Sequence, residues 1–494
     1  MYFDVAIIGA GVIGGAVARE LSRWELSVLC IEKEADVCCG VSKGNTGIIH
    51  SPALVPSGTK KARLSLKGRL CFEDLSRELG FGYQQKGSLI LSYSADDFGG
   101  FSSYIKNAET NYKEAGLKPP EYRIIRGAEL FDLEPDLSPD VKAALFVPDT
   151  GHIVPYEYGI ALFENAVSNN LNLKLGQTVR SVSRDGDFWL VETEKDSFKS
   201  KFIVNAAGHG SNDIGLMAGF LDAGIKKVKG QYLILDRNTD TRVNHILFQV
   251  PPAAEKHKGK GILVTKTVYG NIMIGPDAVC QDEAEDTSTD IEATLAVING
   301  ARRSIPGIDA GKAIKSFAGV RPRPADGDFI IESRNGFVHL CGIESPGLTS
   351  SPAIAEDVLL RLKAEGLVLH LKDSFQPERA ALVKSVIQLD AAEIKRRVAL
   401  SEDDPQRLLC RCEQVPLSRI TDALSRGLPV TTIDGVKRRT RAGQGRCQGA
   451  FCGSRVRKLL AEEAGVPEKE ITQRGREAEP LRIDLKELKK SLKS

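Results

Sequence analysis

Residues 4–9, DVAIIG, form a short apolar run that ends in glycine, the pattern of a buried parallel strand. Helical spacing follows at once in AVARELSRW (16–24), and a second apolar run, LSVLCIE, ends at Glu32. Further on, KFIVNAAG (201–208) predicts a strand running into a small-residue turn, and FVHL (337–340) another strand leading into CGIESPGLT. The Thr-Ser-Ser-Pro before AIAEDVLLRLKAE predicts a helix that opens near Pro352. Between these pieces the pattern shifts to alternation. LILSYSA (89–95), the runs on either side of Asp185-Gly186, GQYLILD (230–236), 245–250, and 262–275 with a turn at Gly270-Asn271 all read as strands, and 100–115 reads as a helix. The whole predicts an α/β chain: a Rossmann-like nucleotide-binding domain with an inserted antiparallel sheet. Residues 366–405 read as a charged linker or helical connector, 417–428 as a helix, Asp434-Gly435 as a turn, and the stretch after Cys452 as a further helix.

The opening βαβ unit carries chemistry. Gly9, Gly11 and Gly14 stand in G-x-G-x-x-G spacing between strand and helix. The first makes a tight turn, the second admits a pyrophosphate to the backbone, and the third lets the helix sit close to the strand. The helix N-terminus offers free N–H groups to the phosphates, and Glu32 is placed to accept from a ribose diol. The triplet alone does not separate FAD from NAD. Without a second triplet in this context, one bound dinucleotide is expected, a flavin.

Composition bounds the rest. In 494 residues, 42% are hydrophobic and 27% charged, and the formal net charge is +2, which sets aside a general nucleic-acid or acidic-tail role. No stretch is apolar enough to span a bilayer, and Asp4 interrupts any signal-like start. Ten cysteines at this length do not make a disulfide scaffold and predict a reducing, cytoplasmic setting, with attachment to a membrane complex through a partner left open. Four of them cluster late as two close pairs, Cys410-x-Cys412 and Cys447-x4-Cys452. Four soft thiolates suit a [2Fe-2S] cluster or a structural zinc, and spacing alone does not choose. Backbone N–H groups near Gly445 and Gly449 can approach cluster sulfur. The basic run Lys437–Arg441 reads as a solvated face, as a balance to cluster charge, or as a dock for an acidic partner.

IIGAGVIGG (7–15), SKGNTGIIHS (42–51), VNAAG (204–208), GNIMIGP (270–276), GVRPRP (319–324) and GIESPGLTSSPAIAE (342–356) together resemble flavin-dependent oxidoreductases of the D-amino-acid oxidase type, over about residues 1–365. Within that family they are similar to glycerol-3-phosphate and L-2-hydroxyglutarate dehydrogenases. Residues 405–460 resemble the bacterioferritin-associated-ferredoxin-like [2Fe-2S] domain, small and mainly helical, which implies iron at the four cysteines. The resemblance implies FAD held by Gly9, Gly11, Gly14 and Glu32. Ser42, Asn45, Thr46 and Gly47 would pass near the flavin, Val179 on the adenine side, Gly208 near the pyrophosphate, and Gly342, Gly347, Leu348 and Thr349 along the isoalloxazine. It implies FAD-binding parts at 1–88, 149–229 and 316–366, a substrate domain at 89–148 and 230–315, a connector at 367–404, the cluster domain at 405–460, and a charged tail at 461–494.

Oxidising an alcohol carbon requires removal of the hydroxyl proton with the hydride, for which histidine is suited. His50, at the end of the flavin-facing segment, is the expected base. An arginine fork suits a carboxylate or phosphate; Arg321 is the first expectation, Arg323 the second, and Lys266 a weaker one. Lys61 and Arg63 are expected on a solvent face. Two-electron flavin chemistry in one chain with a one-electron cluster predicts a dehydrogenase that passes electrons to an external acceptor, such as another flavoprotein, a ferredoxin or a quinone-linked subunit. Glycerol 3-phosphate leads as substrate, with L-2-hydroxyglutarate and an amino acid or secondary amine as alternatives. A non-catalytic electron-transfer or redox-sensing protein is the reading from another class.

Overall fold

The computed structural model describes residues 2–94, 98–250, 261–383, 388–475 and 478. The described residues divide into two compact units. One comprises the chain to Ile31, Cys38–Lys174 and Val179–Arg379; the other comprises Glu32–Val37, Leu175–Thr178 and the chain from Ala380.

The first unit is built on two large sheets. In one, the strand Tyr2–Ile8 lies parallel between Val28–Ile31 and Ser197–Asn205, with Ala6 opposite both Leu29 and Ile203. Val5, Ala6, Ile7 and Ile8 are all buried, as a parallel strand covered on both faces requires. Phe337–Cys341 extends the parallel set, and the hairpin Val179–Asp185/Phe188–Thr193 closes one side. The helix Val12–Leu21 follows the first strand directly.

The second sheet has nine strands. Its longest pairing joins Lys226–Leu235 to Ala313–Arg323 along nearly their whole length, with Val228 opposite Arg321 and Gly230 opposite Gly319. This strand moves the expected domain border. Residues 316–323 belong to the second sheet rather than to a third nucleotide-binding part, because the ladder with 226–235 continues through Arg323. The sheet is also mixed rather than wholly antiparallel, since Ile246–Gln249 runs parallel to Ser88–Ser92. The helix Ile291–Ser304 covers it with Val297, Ile298 and Ala301. A small third sheet pairs Gly151–Ile153 with Ile48–Ile49 and Tyr83–Gln85.

The second unit packs the helices Leu417–Leu424, Ile433–Thr440 and Gly453–Ala464 around Val415, Ile420, Val436, Val456 and Leu460. Asp434-Gly435 is not a turn. Thr432 accepts from the Gly435 N–H (3.0 Å) and caps a helix that begins at Ile433, so Asp434 lies in the first turn, where the helix dipole favours an acid. The unit also continues past residue 460, because the last helix reaches Ala464 and Ile471 is buried in the same core. The expected tail lies outside the described residues from 479 onward.

The basic run is not a solvated face either. Arg438 and Arg439 are buried on Asp36. Arg439 makes a two-pronged pair with the carboxylate (2.7 and 2.8 Å), and Arg438 bonds both that carboxylate and the Val37 carbonyl. Burial alone would raise the Asp36 carboxyl, but Arg439 and Arg438 outweigh it and hold the group below the usual carboxylate range. Replacing Asp36 with alanine leaves two buried guanidiniums without their counter-charge and should destabilise the second unit by about 3–5 kcal/mol. The carboxylate is depressed on folding. Its contribution is therefore complete above the unfolded value of about 3.9 and disappears as pH falls through the lower folded value. Denaturant midpoints of wild type and variant should differ at neutral pH and converge in acid; equal midpoints at pH 7 would refute the pairing.

Candidate active site and cluster loop

The glycine turn after the first strand is closed by a second turn far along the chain. Gly9 has φ +105°, and a Cβ there would come within 2.5 Å of the Ala206 carbonyl oxygen. Gly208, two residues on, has φ +61°. The turn of IIGAG and the turn of VNAAG therefore lie backbone to backbone at the helix N-terminus. Ser42 reaches the same end and accepts from the Val12 N–H (2.9 Å). Glu32 directly follows the strand Val28–Ile31 and accepts from the Glu34 N–H (3.0 Å). Val179 is half-buried on its hairpin, beside Val182 and Trp189.

The segment 42–50 is held by contacts that its own sequence does not announce. Asn45 braces the loop, donating to the Val41 and Ser42 carbonyls (3.1 Å each) and accepting from Gly47 (2.8 Å). Gly44 lies on Gly319 of the long strand so closely that a Cβ at Gly319 would stand 1.9 Å from the Gly44 carbonyl oxygen. The His152 ring Nε2 bonds the Thr46 carbonyl (2.6 Å). Burial pushes the His152 pKa down to about 4, so the ring stays neutral and donates. Gly319 lies in GVRPRP and His152 in the stretch DTGHIVP (149–155), but neither residue has a periodicity or spacing that assigns the role.

Beyond Gly47 the chain enters the strand Ile48–Ile49 and reaches His50. The His50 N–H donates to Thr349 Oγ1 (2.9 Å), Thr349 Oγ1 donates to the Ile48 carbonyl (3.3 Å), and the ring Nε2 of His50 lies 3.3 Å from Ser345 Oγ. Segments 42–50 and 342–349 are thereby stitched together. The helix that carries Thr349 starts at Gly347, not near Pro352. Pro352 sits inside it and cannot donate to the Leu348 carbonyl; Ser351 Oγ donates there instead (2.9 Å). Gly347, Leu348 and Thr349 consequently form the helix's first turn, and Gly342 (φ +63°) turns the chain toward it.

Arg321 projects from the strand that supports Gly44. Its Nη2 donates to the Asp277 carbonyl (3.2 Å), while its Nε is buried with no hydrogen-bond partner among the described residues. A buried donor left unpaired costs about 1–3 kcal/mol, which a bound anion would offset. His209 ties the second glycine turn to the same strand through the Val320 carbonyl (2.6 Å). Arg323 and Lys61 are differently placed. Both pair with Glu344, at 3.3 and 2.9 Å. Lys61 is thus buried, not on a solvent face, because its charge serves the carboxylate of the 342–349 loop. Arg63 is exposed, as expected, 4.0 Å from Asp357. Lys266 is exposed at the end of its strand.

In the second unit the four late cysteines converge. Cys410 and Cys412 Sγ lie 4.0 Å apart and Cys412 and Cys447 Sγ 3.4 Å, and Cys410 and Cys452 are buried in the same small core. Thiolates on one tetrahedral metal with bonds of about 2.3 Å stand about 3.8 Å apart, so each of these two pairs has about that spacing, although among the described residues no set of three or more such side chains is arranged to hold a metal ion. A Cβ on Gly445 would be 2.9 Å from Cys412 Sγ, so the loop can close around the sulfurs only with glycine there. Glu413, buried next to Cys412, is neutralised by Arg441 (2.9 Å).

A dinucleotide cradle, a loop crossing a large second sheet, and a four-thiolate loop define a flavin-dependent oxidoreductase with its own iron–sulfur module. The chain belongs to the FAD dependent oxidoreductase family (DAO), matched over residues 4–359, and carries a BFD-like [2Fe-2S] binding domain at 408–462. Its cofactors are FAD and a [2Fe-2S] cluster. It is similar to a glycerol 3-phosphate dehydrogenase of Caloramator mitchellensis, 39% identical over 472 residues, covering 95% of this chain and 96% of that one. One subunit of the anaerobic glycerol-3-phosphate dehydrogenase of Escherichia coli K12 is 26% identical over 92% of this chain and 88% of its own. Among solved structures, the dithionite-reduced, FAD-bound L-alpha-glycerophosphate oxidase of Mycoplasma pneumoniae superposes with a TM-score of 0.72 at 27% identity, covering 76% of this chain and 98% of the oxidase.

Proposed function

We propose that this enzyme oxidises glycerol 3-phosphate to dihydroxyacetone phosphate and delivers the electrons to an external protein acceptor. The observation that carries this reading is the likeness to the Caloramator dehydrogenase, which extends over 95% of the chain and so spans both cofactor regions. The Mycoplasma oxidase, by contrast, corresponds to only 76% of the chain.

FAD supplies the hydride acceptor and the [2Fe-2S] cluster a one-electron relay. Gly9, Gly11, Gly14, Glu32 and Gly208 would hold the adenosine diphosphate part, with the Val12 helix end toward the phosphates. Segments 42–47 and 342–349 would line the flavin. Arg321 binds the substrate phosphate, using the Nε donor that has no partner among the described residues. His50 takes the hydroxyl proton as the hydride leaves the carbon that bears that hydroxyl, and Thr349 and Ser345 fix its position from either end. Arg323 serves Glu344 instead of substrate. Lys266 stays a secondary candidate for the phosphate. Cys410, Cys412, Cys447 and Cys452 hold the cluster.

Further subunits belong to this reading, in keeping with the Escherichia coli relative, which is named as part of a multi-chain dehydrogenase. Among the described residues no helix is long and apolar enough to cross a membrane. A cytoplasmic setting goes with cluster thiols that need a reducing compartment, and membrane attachment would come through a partner.

Anaerobic mixing of the loaded enzyme with glycerol 3-phosphate should bleach the flavin within seconds, while L-2-hydroxyglutarate, proline and glycine leave it yellow. Bleaching by one of the latter alone would replace the substrate; bleaching by none would favour a non-catalytic role.

A further inference from the structure

Three residues next to cluster ligands in the chain face outward. Arg411 stands between Cys410 and Cys412, Arg446 precedes Cys447, and Phe451 precedes Cys452; all three are exposed. Phe451 is 74% exposed, the largest exposure of any aromatic side chain among the described residues. It takes no part in the core formed by Val436, Val456 and Leu460. One exposed phenylalanine is ordinary on a protein surface; what sets this one apart is its place directly before a cluster ligand, alongside two exposed arginines that also adjoin ligands in the chain.

The chain around it is mainly basic. Residues 408–462 contain eleven Lys and Arg against four Asp and Glu. The acids are engaged within the unit: Glu413 by Arg441, Asp422 by Arg426, Asp434 by Gln473, and Glu462 by Lys458. Arg438 and Arg439 are buried on Asp36. The exposed cations that adjoin the ligands are therefore Arg411 and Arg446, not the basic run that the sequence brings to notice. Arginine and aromatic residues are the types that anchor protein interfaces, whereas lysine is depleted there.

We infer that Arg411, Arg446 and Phe451 form the docking surface for the electron acceptor, and that this acceptor is a protein presenting carboxylates around an apolar spot at its own redox centre. The inference rests on the reading of the cluster as the electron exit. Tunnelling falls off steeply with distance, so a partner must touch the residues beside the ligands. The two arginines steer it there and Phe451 supplies a desolvated contact. Each encounter moves one electron from the reduced cluster to the acceptor's oxidised centre. No bond is made or broken, and no proton moves.

The test uses the full, doubly loaded chain, reduced with stoichiometric dithionite so that substrate identity plays no part. It is mixed in stopped flow with plastocyanin as an acidic protein acceptor and cytochrome c as a basic one, and cluster reoxidation is followed by its own absorbance. Plastocyanin should reoxidise the wild type faster at low salt, with the advantage fading as salt rises. The double variant Arg411→Glu/Arg446→Glu should slow plastocyanin at least about 10-fold and accelerate cytochrome c. Phe451→Ser should slow plastocyanin at high as well as low salt. The cluster absorbance of each variant before mixing shows that the loop is intact. Equal response to both proteins with no effect of charge reversal would overturn the docking surface while leaving the exit role standing. Failure of both proteins to reoxidise the cluster, with a small dye still reoxidising the flavin, would overturn the exit role and the surface with it. Charge-sensitive binding to phosphatidylglycerol vesicles without any effect on plastocyanin would assign the patch to a membrane surface and overturn the protein acceptor.

Discussion

Replacing His50 with asparagine is expected to slow anaerobic reduction of the flavin by glycerol 3-phosphate by about 10²–10⁴-fold. Asparagine keeps a polar side chain but ends where the ring Nδ1 does, so it gives up the contact of Nε2 with Ser345, and it cannot accept a proton near neutral pH. The main-chain bond from residue 50 to Thr349 is untouched, so the stitch between segments 42–50 and 342–349 survives. The flavin spectrum and its retention on gel filtration should therefore match the wild type. Substrate affinity, read from the concentration dependence of bleaching, should change little because Arg321 holds the phosphate. An unchanged bleaching rate would remove His50 from proton transfer and turn attention to another acceptor at the same face.

How far the sequence carried this site depends on whether each contact is local. The strand, glycine turn and helix around Gly9, Gly11 and Gly14 were legible because they adjoin one another in the chain. The hairpin at Asp185-Gly186 was legible for the same reason, since a two-residue turn fixes its own register. The braces were not. Gly319 beneath Gly44, His152 against Thr46, and Asp36 inside a pair of arginines each join residues far apart in the chain, and no spacing rule reaches across such gaps. Arg321 and Arg323 look alike in GVRPRP, and only Glu344 separates them, by neutralising the second. Pro352 hid the true start of its helix, because a proline is read as a boundary even when a neighbouring serine satisfies the carbonyl it abandons. A basic run such as KRRTR reads as surface. Here two of its members are buried because a carboxylate from the far end of the chain lies between them.

Serine in place of Cys447 should separate the two redox functions. The Cys447 thiol lies 3.4 Å from that of Cys412, and its loss leaves three thiolates for a site that needs four. The purified variant should lack the visible absorbance and the reduced-state paramagnetic signal of the cluster. Serine is nearly the same size, and the unit's core rests on Val415, Ile420, Val436 and Leu460, so far-ultraviolet dichroism should report retained helices. Glycerol 3-phosphate should still bleach the flavin at close to the wild-type rate, because His50, Arg321 and both glycine turns lie in the other unit. Turnover with a one-electron protein acceptor should fall by more than the roughly 10–100-fold that loss of a ligand's outer-shell support costs, because here a ligand itself is removed. A dye that takes electrons from the flavin itself should restore it. If the variant instead sustains full turnover with a protein acceptor, electrons leave from the flavin directly, and the four thiolates serve folding alone. Rapid turnover of the wild type with oxygen would point the same way, since an enzyme that discharges its flavin to oxygen has no use for a one-electron relay.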